Sequence, residues 1–458
     1  HIQQLPVLMT TMEEDYIKKI KRQQEQKLMK EEFLKTFMNT HLYYYIPQTE
    51  LFIEYVDNHY KIISEDDIAS EIMKKIREDP AISHWKFKMM TQIFKHIKEK
   101  WISTASPTSE TIKDVISSLT PYFKSTYHIT YLLTLLGDTL LGKKDTHIYF
   151  MDASYKSLLQ MISQQVYAMT NKTFDIIKYK YYDHKYDQCR IITGTCPTTI
   201  HKWNILNIIA VSIYLSNTDR SAEDLLGSLL KQSLDIPERD AFITSILLLT
   251  NKTPIDLVRE FLDEFTTPTS TPPTHSLTFK DICFLWKTFL RNHNLPFVIS
   301  LSNLKVHLTE LGLYDTNTDT CPSMISTYNS ALIHFRHFWD RYMTPTENDD
   351  HYYDLTEILQ LYHSKTDKQY HITEISMREL LSFEYPSVII TPTQVFNTLC
   401  SLWNKPEDID TVMTLYKCQD DYSPDIDKMY TFYCSYKKNS LGGNGLIVSK
   451  LYFDRYLQ

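Results

Sequence analysis

Glycine is what this chain most conspicuously lacks: 8 in 458 residues, where about 7% is ordinary. Folds that cradle phosphates on backbone amides place glycines at tight turns and loops. Their scarcity argues against a Rossmann-type nucleotide fold. Cysteine is also sparse, seven residues with no C-x-x-C pair. That number and spacing suit free thiols in a reducing compartment better than a disulfide or zinc framework. No apolar run reaches the ~18 residues of a membrane span; the longest, Asn204–Leu215 and Ile243–Thr250, have the length of buried helices. No secretory or transit signal is legible where the chain starts at His1. Excess positive charge is absent as well. The net charge is −8, which disfavours broad electrostatic binding to nucleic acid or anionic membrane and leaves room only for local basic faces.

What is present is apolar and helical. Hydrophobic residues make up 43% and tyrosine alone contributes 32, enough for real cores. At about 100–200 residues per domain, the length predicts two or three domains. The patterns predict a mainly α, multi-domain protein of packed helix pairs with small β-hairpin elements and a winged-helix-like segment. Residues 1–42 read as a charged N-terminal helix and 43–265 as a helical domain. Within it, Leu51–Tyr55 and His59–Ile63 flank Asp57-Asn58 as a hairpin, and Ser64-Glu-Asp-Asp67 opens a helix with a capping box. Trp85, Met89, Ile93, Ile97 and Trp101 recur every fourth residue. Residues 266–277, rich in Thr and Pro, read as a linker. The second half, 278–458, starts at the capping box Thr278-Phe-Lys-Asp281 and continues as helices, one of them expected at 392–402.

Catalytic signatures are missing. Gly137-Asp-Thr-Leu-Leu-Gly142-Lys143 matches G-x-x-x-x-G-K, but Lys144 follows where Ser or Thr must hold magnesium, and a helix precedes it where a strand is required. Helix capping and chain turning is the reading preferred for these glycines. Gly442-Gly-Asn-Gly445 reads as a turn, His334-x-x-His337 as a helix pair without a third metal ligand, and Asp420, Asp421, Asp425 and Asp427 as an acidic cluster lacking calcium-loop spacing. Tyr127-x-x-x-x-Leu132-Leu133 fits the peptide pattern that binds cap-binding proteins, but it falls inside an apolar helix. No enzyme, cofactor or metal is expected.

Three segments are candidates for nucleic-acid contact. Lys86, Lys88, Lys95 and Lys98 crowd residues 84–101. Lys178, Lys180, Tyr181, Lys185 and Arg190 interleave with further tyrosines over 172–190, the arrangement used to stack on single-stranded bases. The third is a helix-turn-helix-like pair, 279–292 and 301–312, whose second helix shows Lys305 beside Asn303, His307 and Thr309. For the first two, solvated faces of amphipathic helices are the alternative; for the third, a helix pair that contacts protein is.

Several strings taken in order resemble a family. They are Tyr43-Tyr-Tyr-Ile-Pro47, Ser64-Glu-Asp-Asp-Ile68, Trp85-Lys-Phe-Lys88, Ser109-Glu-Thr-Ile112, Leu135-Leu-Gly-Asp138, Asp187-Gln-Cys-Arg190, Leu285-Trp-Lys287 with Leu295-Pro296, Phe338-Trp-Asp340, and Ile447-Val-Ser-Lys450 with Tyr452-Phe453. Over about 43 to 456 the series is similar to a family of largely uncharacterised proteins of giant, mimivirus-like nucleocytoplasmic large DNA viruses. The chain departs from it in shorter Thr-rich stretches and in Gly442–Gly445. The resemblance supplies no catalytic residues. It implies a viral protein expressed in the cytoplasmic factory of the host cell. The expectation is then a non-enzymatic scaffold for protein–protein or ribonucleoprotein assembly in viral gene expression, in the manner of a translation-initiation scaffold. Its partners would be viral or host proteins, with RNA or DNA as further partners and no membrane. The alternative is a nucleic-acid-binding accessory of viral replication or transcription.

Overall fold

Side-chain caps start most of the helices where the sequence places them. In the computed structural model, which describes residues 5–79, 82–180, 185–194, 203–232, 236–268, 277–322, 324–346, 352–366, 370–419, 423–440 and 446–457, the Ser64 hydroxyl accepts from the Asp67 amide. Ser125, Asn204 and Ser221 cap later helices in the same way, satisfying amides that a helix start leaves unpaired. The described residues form eighteen α-helices and short sheets. They divide into two units: 1–253 with 290–300, and 254–289 with 301–458. The division falls ahead of the expected 266–277 linker, of which 269–276 lie outside the described residues.

The first unit opens with α1 (Leu5–Thr40), then the antiparallel meander β1 (Leu42–Ile46), β2 (Leu51–Val56) and β3 (His59–Ile63). Asp57 and Asn58 both take positive φ, 50° and 64°, the I′ geometry that closes a two-residue hairpin. α2 (Glu65–Glu78) and α3 (Lys86–Glu99) follow. Ile68, Ile72 and Ile76 of α2 and Met89, Ile93 and Ile97 of α3 are fully buried with Phe37, Tyr43 and Phe52 in a small core.

A larger core belongs to α4 (Ser109–Leu119), α5 (Thr126–Leu141), α6 (Lys156–Thr170), α7 (Ile205–Asp219), α8 (Ala222–Lys231) and α9 (Pro237–Ile246). Between them β4 (Ile148–Phe150) runs parallel to both β5 (Ile177–Lys178) and β6 (Cys189–Ile191). α5 and α7 cross at Gly137, where a Cβ would stand 2.0 Å from the Ser212 carbonyl oxygen.

The second unit contains α10 (Pro254–Phe265), β7 (Thr267–Pro268), β8 (Leu277–Thr278), α11 (Phe279–Asn292, its last residues counted with the first unit) and α12 (Leu301–Glu310). β9 (Thr320–Cys321) pairs with β8, and β10 (Met324–Ile325) with β7. The Thr278–Asp281 box forms reciprocally: the Thr278 amide donates to the Asp281 carboxylate at 3.0 Å and the Asp281 amide to the Thr278 hydroxyl at 3.2 Å. After α13 (Thr327–Tyr342) come β11 (Met343–Pro345), β12 (Tyr352–Asp354), α14 (Leu355–Lys365), α15 (Glu374–Glu384), β13 (Ile389–Ile390), β14 (Gln394–Phe396) and β15 (Thr398–Cys400). The chain closes with α16 (Lys405–Lys417), α17 (Ile426–Ser440) and α18 (Lys450–Leu457).

The helix expected at 392–402 is absent. Val395, Phe396, Thr398 and Leu399 suit a pleated surface better than a helix, and Asn397 turns the chain at φ 57°. β14 consequently pairs with β12 and β13, while β15 pairs with β11.

One ionisable pair organises this end of the unit. The Lys405 ammonium, 1% exposed, donates to Glu357 at 2.5 Å and to the Tyr352 carbonyl at 3.0 Å. Its nitrogen lies 4.5 Å from the ring centres of both Tyr353 and Tyr452, with Trp403 and Tyr352 slightly farther. Glu357 also accepts from the amides of Asp354 and Ser449. Burial draws the Lys405 pKa down and pushes that of Glu357 up, each opposed by the attraction of the other. At that burial no ligand reaches the ammonium, so the pair is structural.

Candidate nucleic-acid interface

Two of the basic segments meet at a groove in the first unit. α3 ends at Glu99, and the Lys100 carbonyl then accepts from the Tyr45 amide at 3.0 Å. Trp101 thereby runs as a bridge beside Tyr45 of β1. The fourth-residue spacing put Trp101 on the buried stripe of α3. Because the helix stops two residues earlier, the indole leaves that stripe and is 50% exposed. Tyr45, Pro47 and Trp101 wall a concavity of about 160 Å³, Ile102, Leu140 and Ile213 floor it, and Lys172 closes one side. The Lys172 ammonium is held there by the Leu140 carbonyl at the end of α5.

Lys98, one residue before the end of α3, approaches the same place. Lys88, Lys95 and Lys98 share one solvent face with the exposed Phe87. The Lys98 nitrogen lies 5.8 Å from the Tyr45 ring centre, and the Lys100 nitrogen 4.8 Å from that of Tyr44. Burial holds the Lys100 pKa below the ordinary lysine value. Lys95 has Glu99 one turn away at 3.9 Å, an exposed pair of little energetic weight. Lys86, at the helix start, sits 5.0 Å from the Phe87 ring centre.

Other candidates fare differently. Lys178, Lys180 and Lys185 are exposed but do not line the groove, and Tyr181 lies outside the described residues. Arg190 is a correction. It is 8% exposed and grips Glu223 through Nε and Nη2, with Nη1 on the Asp187 and Cys189 carbonyls. Buried and engaged through all three nitrogens inside the fold, this guanidinium is not presented to a phosphate. Lys305 is likewise engaged. It donates to Asp319 at 2.9 Å and lies over the rings of Phe279 and Tyr314, so the outward face of α12 offers no unpaired lysine.

The P-loop-like string is structural. Gly142 terminates α5 in the left-handed region at φ 71°, as C-cap glycines do. Lys143 donates to the Ser216 carbonyl and hydroxyl, to the Arg220 carbonyl, and to Asp138 at 3.2 Å. Leu132 and Leu133 of the cap-binding-like string are buried and unavailable to a partner. Cys189, Cys283, Cys321 and Cys400 are buried free thiols. Gly442–Gly445, Asp420 and Asp421 lie outside the described residues, and among those described no three His, Cys, Asp or Glu side chains gather as metal ligands.

His128 is buried in the same unit within a cluster of hydroxyls. Its Nδ1 pairs with the Ser125 hydroxyl at 2.8 Å, and its Nε2 with Ser245 and Thr193 at 3.0 Å each. Only hydroxyls surround it in these bonds, so no carboxylate orients the imidazole as a catalytic base. Burial, with the charge of Lys124, pulls its pKa to about 4. An unfolded histidine titrates near 6.5. The unfolded chain therefore takes up the proton first, and stability present above pH ~6.5 is lost as pH falls toward ~4, up to about 3 kcal/mol. Urea midpoints measured across that window should fall in the wild type and fall distinctly less in His128→Gln.

No known family model, curated protein or solved structure matches the chain, so the resemblance to giant-virus proteins gains no support from those comparisons. No described helix is long and apolar enough to cross a membrane.

Proposed function

We propose that this protein is a non-enzymatic binding module that takes single-stranded nucleic acid at the Tyr45–Trp101 groove, as an accessory of viral gene expression. The observation that carries this reading is a half-exposed indole beside a tyrosine, over an apolar floor, with Lys98, Lys100 and Lys172 around them. Aromatic faces accept any base by stacking, and nearby ammonium groups track the phosphates. The helix-turn-helix-like pair α11–α12, with β8 and β9 as a minimal wing, ranks behind it because Lys305 is held by Asp319.

Fluorescence anisotropy with a labelled single-stranded oligonucleotide tests the reading. Trp101→Ala is expected to weaken binding about tenfold or more, since stacking contributes roughly 1–3 kcal/mol per base. Lys98→Gln should reduce the slope of log affinity against log salt by nearly one. Binding that Trp101→Ala leaves unchanged, or that does not depend on salt, refutes the groove assignment.

A protein scaffold is the second reading, favoured by α1. Met9, Met12, Tyr16 and Ile17 are all more than half exposed on this helix, and Met9, Met12 and Tyr16 fall on one face. Purification from infected cells after nuclease treatment should then retain a defined set of translation proteins with the intact chain, and lose it with Met12→Glu plus Tyr16→Glu.

A further inference from the structure

The His334-x-x-His337 pair suggested a metal site that lacked a ligand. Its surroundings in the second unit favour the opposite charge. Arg341 follows one turn later on α13, and Lys365 ends α14. These four side chains, with Tyr342, Thr366 and Tyr370, line an open concavity of about 350 Å³. The His334 ring stacks on Tyr370 at 3.7 Å between centroids, and the Arg341 guanidinium sits 5.4 Å from the Tyr342 ring centre. Among the described residues no carboxylate lines the concavity, and none forms an ion pair with Arg341 or Lys365. Two permanent cations repel a metal ion from such a site. They concentrate positive potential in a concave wall, where it attracts anions.

The donor set narrows the anion. A guanidinium presents a planar fork matched to two oxygens of one phosphate, an ammonium supplies a point charge beside it, and imidazoles add N–H donors. We propose that the His334–His337–Arg341–Lys365 concavity binds a phosphate monoester or free phosphate dianion, with Arg341 and Lys365 as its principal anchors. The doubly charged terminal group gains more from two fixed cations than a singly charged diester does. This site is independent of the nucleic-acid groove, and its test uses the full chain.

Isothermal titration with inorganic phosphate, with adenosine monophosphate, and with a short oligonucleotide bearing either a 5′-phosphate or a 5′-hydroxyl separates the sources. The oligonucleotides are titrated in a Trp101→Ala background, so that the groove contributes little signal. Saturable binding of inorganic phosphate alone assigns the site to free phosphate. Binding of the monophosphate and the 5′-phosphorylated strand, but not the 5′-hydroxyl strand, assigns it to a terminal phosphate. In either case Arg341→Gln and Lys365→Gln should each weaken binding about tenfold, Arg341→Lys should retain part of it, and the double variant should abolish it. Both residues are exposed, so unchanged thermal melts are expected and keep the loss attributable to the site. Absence of saturable binding below about 10 mM for all four ligands overturns the proposal. So does binding indifferent to the double variant, or equal Arg341-dependent binding of the 5′-hydroxyl strand.

Discussion

Lys405→Met is expected to cost the second unit about 3–5 kcal/mol, because it strands the Glu357 carboxylate in a site closed to water. Glu357→Leu should be comparably harmful, stranding the ammonium instead. The informative variant is the double substitution, Lys405→Met with Glu357→Leu. Two apolar side chains of similar volume remove both desolvation penalties at once, and buried pairs replaced this way are often neutral or better. Here the recovery should be incomplete. Glu357 also receives the Asp354 and Ser449 amides, and those donors are left unsatisfied. Denaturant unfolding of the four proteins as a cycle measures the coupling. Additive single costs, with no recovery in the double variant, would show that the cage of Tyr352, Tyr353, Trp403 and Tyr452 holds this region without the pair.

The second large effect lies at the crossing of α5 and α7. A methyl group at Gly137 would meet the Ser212 carbonyl at 2.0 Å and the Ser216 side chain at 2.7 Å. Backbone cannot give way like a flexible side chain, so both helices must move apart. Gly137→Ala is therefore expected to cost at least about 3 kcal/mol, the upper range of overpacking. Separation there would also loosen the Ser216–Asp138–Lys143 cluster at 2.5 to 3.2 Å. Gly227, within α8, provides the contrast. A Cβ there meets nothing within 4 Å, and Gly227→Ala should stabilise by roughly 0.5–1 kcal/mol through backbone entropy and helix propensity. Thermal melts of the two variants should shift in opposite directions. A harmless Gly137→Ala would mean that the close crossing does not exist in solution.

Local chemistry was readable in this chain and long-range chemistry largely was not. Ser64, Thr278 with Asp281, and Asp57-Asn58 act within four residues of themselves, and each performs the cap or turn its side chain favours. The parallel arrangement of β4, β5 and β6 joins segments 28 and 41 residues apart whose strands are only two or three residues long. So short a strand carries almost no alternation to detect. Residues 392–402 misled because an apolar stretch of that length fits either period, and the positive φ at Asn397 decided the matter.

The groove was half legible for the same reason. Basic density marked both contributing segments, yet nothing local said that α3 would end at Glu99 and hand Trp101 to the edge of β1, or that Lys172 would be anchored on α5. Arg190 illustrates the converse. Its surrounding lysines and tyrosines looked like a binding face, whereas its partner Glu223, thirty-three residues later, made it part of the interior. Lys405 gave no sign at all, since a lysine opening a helix ordinarily points to water.

The return of residues 290–300 to the first unit has a consequence for synthesis. The Phe297 backbone bridges to Lys180, and the Val298 carbonyl accepts from the Tyr186 hydroxyl at 3.4 Å. The leading part of the chain thus cannot complete itself as it emerges from the ribosome. It must wait, with the 177–191 region unfinished, while α10 and most of α11 are made. The trailing unit in turn starts from a segment whose two ends are already spoken for. Birth order and folding order are interleaved, and a ribosome pausing between codons 254 and 300 would leave the Lys180 bridge and the Tyr186 hydrogen bond of the first unit unmade.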